Sequence, residues 1–139
     1  MSALLDTSVV LASLNPDEAH HAACDRLLAA GGHKLYVHAL AETFSTLTGG
    51  RHGRRVSPAS AAKLIEHSVL PFVQVVSLTG KDVMAALASG ESRGVRGGAI
   101  YDLLHLVAAR KSGVERLMTL DLRNFQALAR PGDPSIESP

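Results

Sequence analysis

The sequence predicts an α/β fold with a central parallel sheet flanked by helices, and three observations predict it. Short apolar runs of strand length alternate along the chain with longer stretches whose apolar residues recur at helical spacing. Gly, Pro and small polar clusters punctuate the junctions. Two of the apolar runs, Ala3-Leu4-Leu5 and Leu117-Met118-Thr119-Leu120, lead straight into an aspartate, Asp6 and Asp121. The carboxyl edge of a parallel sheet is where such folds place their chemistry.

The elements follow in order. Ala3-Leu4-Leu5 reads as a buried strand, and Asp6-Thr7-Ser8 supplies the oxygen-bearing side chains that suit the start of a helix. A second helix is expected to open at Asn15-Pro16-Asp17-Glu18 and run to Ala30, with Gly31-Gly32 as its stop. Leu35-Tyr36-Val37 is the next strand. The helix after it carries Leu40, Phe44 and Leu47 at i, i+4 and i+7 and ends at Gly49-Gly50. Ser57-Pro58 starts another helix, with Pro in the first turn where a missing N–H costs nothing, and Pro71 closes it before a strand from Phe72 to Leu78. Thr79-Gly80-Lys81-Asp82 begins a helix reaching Ser89. Beyond Gly94, Gly97 and Gly98, the residues Ile100, Leu103, Leu104, Val107 and Ala108 form a helical stripe that stops at Ser112-Gly113. Leu117 to Leu120 is the last expected strand and Leu122 to Ala129 a short helix. The Pro-, Asp- and Ser-containing tail from about residue 131 is left without assigned structure. Right-handed crossovers between parallel strands are the expected connections.

Length and composition fit one domain spanning residues 1–139. A chain of 139 residues buries roughly 68–70% of its unfolded surface on folding. With 46% hydrophobic and 19% charged residues it is not a disordered chain. Cys24 is the sole cysteine, which excludes an internal disulfide and a cysteine-based zinc cluster. The apolar stretch from Ala3 to Leu14 has no basic leader, contains Asp6 and stops at Asn15-Pro16, so neither a signal peptide nor a membrane span is expected, and a cytoplasmic location is. The net charge of +1 is uninformative, but between Arg26 and Ile65 six Lys or Arg face one acid, Glu42. Arg51, Arg54 and Arg55 concentrate that excess in a loop suited to phosphate, although a solvated loop with no ligand would look the same.

Of the 13 acids, nine stand apart from Asp6, Glu42, Asp102 and Asp121, and most of those nine have a neighbour that explains them: Asp17 and Glu18 lie at a helix start, Asp25 adjoins Arg26, Glu66 follows Lys63 by one turn, Asp82 adjoins Lys81 and Glu115 adjoins Arg116. Asp6, Glu42 and Asp102 have no such partner. Asp102 sits beside an apolar helical stripe with no Lys or Arg three or four residues away, an awkward place for a charge. Glu42 lies in the first turns of a helix that follows a strand, and so it can also face the carboxyl edge. Taken singly, Asp6 also reads as a helix cap, Glu42 as an exposed helix acid and Asp121 as a turn residue. If the four converge they repel one another, and a hard divalent cation with oxygen ligands relieves that repulsion. One or two such ions can drive phosphodiester hydrolysis. Thr7, Ser8 and Thr119 are placed to hold a carboxylate or a bound water by hydrogen bonds.

Four stretches in order carry a resemblance. They are Leu4-Leu5-Asp6-Thr7-Ser8-Val9-Val10, Ala41-Glu42-Thr43-Phe44-Ser45-Thr46-Leu47, Ala99 through Asp102 to Ala109, and Leu117-Met118-Thr119-Leu120-Asp121-Leu122-Arg123-Asn124-Phe125. Together they span nearly the whole chain, and in this arrangement it resembles the PIN-domain ribonucleases, in particular the VapC-type toxins of toxin–antitoxin modules. The resemblance implies a single PIN-like domain acting as a Mg²⁺- or Mn²⁺-dependent endoribonuclease that cuts RNA and so inhibits translation and growth. Asp6, Glu42, Asp102 and Asp121 would then be catalytic and hold the metal. It also implies a homodimer neutralised by a VapB-type antitoxin. Some relatives carry a further acid shortly after the fourth; here Asn124 stands in that region.

Other chemistries fit less well. A haloacid-dehalogenase-like phosphatase wants a second aspartate two residues after Asp6, where Ser8 stands, and neither a receiver-type cluster of acids, a G-x-G-x-x-G nor a P-loop is found. His20 and Cys24 lie four apart, but two ligands do not make a zinc site. The rival from another class is a non-catalytic module that binds RNA or an antitoxin without cutting, and the presence of all four acids argues against it. The sequence does not name the RNA. Unpaired bases are commonly read by stacking, and Tyr36, Tyr101 and the three Phe give no guide to which of them is available.

Overall fold

The computed structural model describes residues 2–50 and 55–139, so Arg51 and Arg54 of the expected phosphate-binding loop lie outside the described residues. Strands β1 (Ala3–Leu5), β2 (His33–Tyr36), β3 (Val73–Val76), β4 (Arg116–Met118) and β5 (Ser135–Glu137) form one parallel sheet in the order β3-β2-β1-β4-β5. Around it lie helices α1 (Thr7–Leu14), α2 (His21–Ala30), α3 (His38–Gly49), α4 (Pro58–Ser68), α5 (Gly80–Ala88), α6 (Gly90–Arg93), α7 (Ala99–Ser112) and α8 (Leu122–Leu128). This is the α/β class expected from the alternation.

Alternating side chains divide the core between the two faces of the sheet. Ala3 and Leu5 of β1, Leu35 of β2 and Met118 of β4 pack with Val9, Val10, Cys24 and Leu28 from α1 and α2. Leu4, Tyr36 and Leu117 point the other way, against Leu103, Leu106 and Ala109 of α7 and Phe125 of α8. β1 is buried on both sides, as the central strand of a parallel sheet should be, and its unbroken apolar run follows from that. From β1 the chain proceeds to β2 and β3 on one side, whereas β4 and β5 extend the sheet on the other. The crevice at the carboxyl ends of β1 and β4 is thus a topological switch point, the place where open α/β sheets bind ligands.

Several boundaries differ from the expectation. α2 begins at His21 and not at Asn15-Asp17: the Asn15 side-chain oxygen accepts the Asp17 N–H (3.1 Å), and the Glu18 N–H bonds to the Asn15 carbonyl (3.0 Å), holding residues 15–18 as a turn. β3 is shorter than Phe72–Leu78 because Leu70–Phe72, with Pro71 at its start, forms a 3-10 turn. The helix expected to run to Ser89 ends at Ala88, and the short α6 follows.

The largest difference is the tail, which adds β5 to the exposed edge of β4. The Ser135 N–H donates to the Glu115 carbonyl and the Thr119 N–H to the Glu137 carbonyl, both at 2.9 Å. Asp133 anchors this segment, its carboxylate 3.7 Å from Arg93 and 3.5 Å from Arg110 with its side chain only 3% exposed. Among the described residues no helix is long and apolar enough to cross a membrane.

Candidate active site

Asp6 leaves β1 at its carboxyl end. Its N–H still pairs with the Met118 carbonyl of β4 (2.9 Å), and its carbonyl accepts the first bonds of α1. The carboxylate does not cap that helix. Instead Oδ2 accepts from the Ser8 hydroxyl (2.7 Å) and from the Thr119 hydroxyl (3.0 Å), and the side chain is buried. Thr119, fully buried, also accepts the Asp121 N–H (2.9 Å), while the Ser8 hydroxyl accepts the Leu120 N–H (3.0 Å). Two hydroxyls thereby stitch the turn after β4 to the turn after β1 and fix one carboxylate between them.

Glu42 lies one turn inside α3, on the face turned to α7. Its Oε1 accepts from the Thr7 hydroxyl (3.2 Å) and from His105 Nε2 (2.7 Å). His105 is the residue that the sequence reading missed. It lies in α7 three residues beyond Asp102, almost fully buried, with Nε2 also 4.0 Å from Asp6 Oδ1 and 3.5 Å from the Thr7 hydroxyl. Its Nδ1 is buried and has no partner among the described residues, which places the proton of the neutral ring on Nε2, facing the acids. A histidine inside Leu103-Leu104-His105-Leu106, one turn from an unpaired aspartate, was the available signal.

Asp102 projects from the first turn of α7 and is half-buried. Burial pushes its carboxyl up to about 6, the Asp6 charge adds to the push, and Asp121 and Glu42 act in the same direction; His105 opposes them without prevailing. Glu42 resolves differently. Burial would raise it, but the hydrogen bond and charge of His105, helped by His38 and Thr7, bring its carboxyl below the usual range. Burial alone would lower His105, and the Glu42 hydrogen bond with the charges of Asp6, Glu42 and Asp102 raises it instead. Asp121 is exposed, at the start of α8, where its Oδ2 accepts from the Asn124 amide (2.7 Å).

The sequence-predicted acids therefore meet electrostatically at one sheet edge, with Thr7, Ser8, Thr119 and Asn124 each donating to one of them. Among the described residues no three His, Cys, Asp or Glu side chains stand as a ready-made metal cage. The donor set still suits Mg²⁺, which prefers oxygen, keeps several of its waters and uses only one or two carboxylates directly. Burial is the main reason that Asp102 is raised, and the charges of Asp6, Asp121 and Glu42 add to it against the opposing His105. Arg55 lies away from these acids, its guanidinium over Gly50, whose φ of 70° closes α3 and where a Cβ would meet Arg55 Nε at 3.0 Å.

A family model described as PIN domain matches residues 3–131. Ribonuclease VapC27 of Mycobacterium tuberculosis is 35% identical over 119 residues, which cover 86% of this chain and 84% of that protein. Among solved structures, that of M. tuberculosis VapC20, described as a sarcin-ricin loop cleaving toxin, aligns with a TM-score of 0.69 at 23% identity, covering 95% of this chain and 99% of that one. DNA-bound VapBC from Salmonella typhimurium aligns equally well, at 0.69 and 16% identity over 99% of this chain and 98% of its own, a likeness of fold.

Proposed function

The chain belongs to the PIN-domain family, and from that premise we propose that it is a metal-dependent endoribonuclease, the toxin of a toxin–antitoxin pair, in which Asp6, Glu42, Asp102 and Asp121 hold Mg²⁺ or Mn²⁺. The observation that carries the reading is the convergence of these acids at the β1/β4 crevice, where burial first, and then the charges of Asp6, Asp121 and Glu42, raise the Asp102 carboxyl to about 6. The 35% identity to a ribonuclease over most of both chains supplies the reaction class.

When bound, a divalent ion supplies Lewis-acid polarisation of a phosphodiester, a water nucleophile active near neutral pH and charge stabilisation of the leaving oxygen. The protein's own part is positional. Ser8 and Thr119 lock Asp6, so that its Oδ1 is left to face the crevice. His105 and Thr7 hold Glu42 ionised and fix its rotamer. Asn124 orients Asp121, which at the exposed rim is the acid most open to solvent and substrate. Asp102, raised by burial and by its acidic neighbours, would be held ionised by a cation.

The basic residues Arg51, Arg54 and Arg55 would draw the RNA backbone toward this edge. A VapB-type antitoxin is the proposed partner, supported by the VapBC assembly described for the structural relative from S. typhimurium, and a second copy of the chain is proposed on the family resemblance alone. The proposed place of action is the cytoplasm. The test is RNA cleavage in Mg²⁺ or Mn²⁺ by the wild type, Asp6→Ala and Asp102→Ala. Cleavage by the wild type alone is expected; equal activity in all three sinks the nuclease reading.

A further inference from the structure

Beside the acids lies a groove of about 490 Å³ walled by His38, Ala41, Glu42, Ser45, Thr46 and Tyr101. Its two ends are tied to the candidate active site. His38 precedes Glu42 by one turn of α3, and Tyr101 directly precedes Asp102 in α7. Across the gap between the helices the two rings are stacked, centroids 5.1 Å apart and planes within 8° of parallel. The stack continues inward: His38 lies 6.2 Å from Tyr36, and Tyr36 meets His105 edge-on at 5.4 Å.

A packing role does not account for the outer ring of this ladder. The chain has only five Phe and Tyr and no Trp. Phe125 and Tyr36 are buried, whereas Tyr101 is 47% exposed, the most exposed of the five. An aromatic ring whose rear is fixed by a parallel partner and whose front meets solvent, at the lip of an acidic catalytic crevice, has the form of a stacking platform. Unpaired RNA bases are recognised by stacking on Tyr and His and by hydrogen bonds to their edges.

We propose that the His38–Tyr101 stack receives the unpaired base of the nucleotide flanking the scissile phosphate, with the Ser45 and Thr46 hydroxyls along the groove floor meeting the base edge or the ribose 2′-OH. The inference rests on the endoribonuclease reading above and adds to it the part of the substrate that is gripped. Phosphate and base then divide the site between them: the acids and their cation take the charged group, and the groove takes the neutral ring. The chain accordingly selects single-stranded over duplex RNA, because a stacked and paired base cannot enter.

The test uses the full chain and a single-stranded oligoribonucleotide that the wild type cuts, made intact or with one abasic ribose on either side of the cleaved bond. For Tyr101→Ala, KM is expected to rise about 5- to 100-fold, the range that one base–aromatic stack commands, with kcat within about 2-fold; Tyr101→Phe, which keeps the ring, stays within about 2-fold in both. The abasic substrate should raise the wild-type KM by the same factor and add nothing further in Tyr101→Ala. If Tyr101→Phe is as impaired as Tyr101→Ala, or if the abasic and Tyr101→Ala penalties multiply undiminished, the ring is not the partner of the base and the proposal is overturned.

A second readout is independent of cleavage. Tyr101 is one of two tyrosines in a chain without tryptophan, and the other is buried out of reach of a base, so quenching of the tyrosine fluorescence by a stacking base reports on Tyr101. In the Asp6→Asn chain with Mg²⁺ present, hexamers of adenosine or uridine should quench it. No quenching by either overturns the stacking proposal even if RNA is cut in an Asp6-dependent way. Quenching without any cleavage by the wild type overturns the nuclease reading and leaves the platform standing.

Discussion

Glu42 and His105, 63 residues apart in sequence, meet at 2.7 Å between α3 and α7, and the contact joins the only two of the four acid-bearing segments that are neither on β1 nor next to β4. The strand ends position Asp6 and Asp121 through the sheet ladder. The two helices have no such ladder, and the Glu42–His105 hydrogen bond performs that office for them.

Removing His105 should therefore affect both fold and site. His105→Leu deletes the partner of a partly buried carboxylate and costs about 1–3 kcal/mol of unfolding free energy, read by urea denaturation. Glu42→Gln in the same background should recover part of that loss. A double variant less stable than His105→Leu alone counts against the pairing.

The Thr119 hydroxyl makes a sharper test, because it is fully buried and reaches the site only through its hydrogen bonds. Thr119→Val keeps shape and burial but deletes the bonds to Asp6 and to the Asp121 N–H. Divalent-ion affinity, measured by calorimetry, should fall about 10- to 100-fold, as for other residues that orient metal-binding carboxylates. An unchanged affinity shows that Asp6 is held by something else.

Asp102 predicts a pH dependence in the presence of a chelator. Its carboxyl stands at about 6 against an ordinary 3.8, so the folded protein holds this proton more tightly than the unfolded chain. The resulting contribution is full below about pH 4 and is lost as pH rises through about 6. Asp102→Asn cannot lose it, so the Tm difference, variant minus wild type, should grow between pH 4 and pH 6.5 and then level off. Saturating Mg²⁺ at pH 7 should shrink the difference again by stabilising only the wild type. A pH-independent difference refutes the raised Asp102 carboxyl.

The C-terminal strand offers a prediction of stability alone. Asp133→Ala leaves Arg93, whose side chain is 17% exposed, without its carboxylate and frees the segment leading to β5. A loss of about 1–3 kcal/mol is expected, measured by thermal or urea unfolding. A change below about 0.5 kcal/mol, typical of surface positions, would mean that β5 holds to β4 through its backbone bonds alone.

The α/β alternation and the positions of the acids were legible because they depend on local signals. Asp6 and Asp121 each follow an apolar run, and Asp102 is a charge beside an apolar stripe. His105 was not legible as part of the site, because a histidine among leucines reads as core until the fold brings Glu42 across from another helix. Tyr101 was no different in sequence from Tyr36, and only packing separates the exposed ring from the buried one. β5 escaped for a related reason: the tail has one apolar residue, Ile136, within its strand, and its conformation is set by the open edge of β4 that it covers. The start of α2 was misplaced because Asn15-Pro16-Asp17 can serve equally as a helix start or as a turn closed by its own side chain.

The clamp on Asp6 also bears on synthesis. The hydroxyl of Thr119 lies 113 residues downstream of the carboxylate it orients, and the bond from the Leu120 N–H to the Ser8 hydroxyl spans 112. Chains fold from the N-terminus as they are made, yet here the first strand carries an acid with one restraint at hand, Ser8, and the other, Thr119, 113 residues further on. A nascent chain stalled before that threonine leaves the ribosome presents Asp6, Glu42 and Asp102 without Asp121 and without the second restraint on Asp6. The crevice between β1 and β4, where those acids meet, forms only once β4 has left the ribosome.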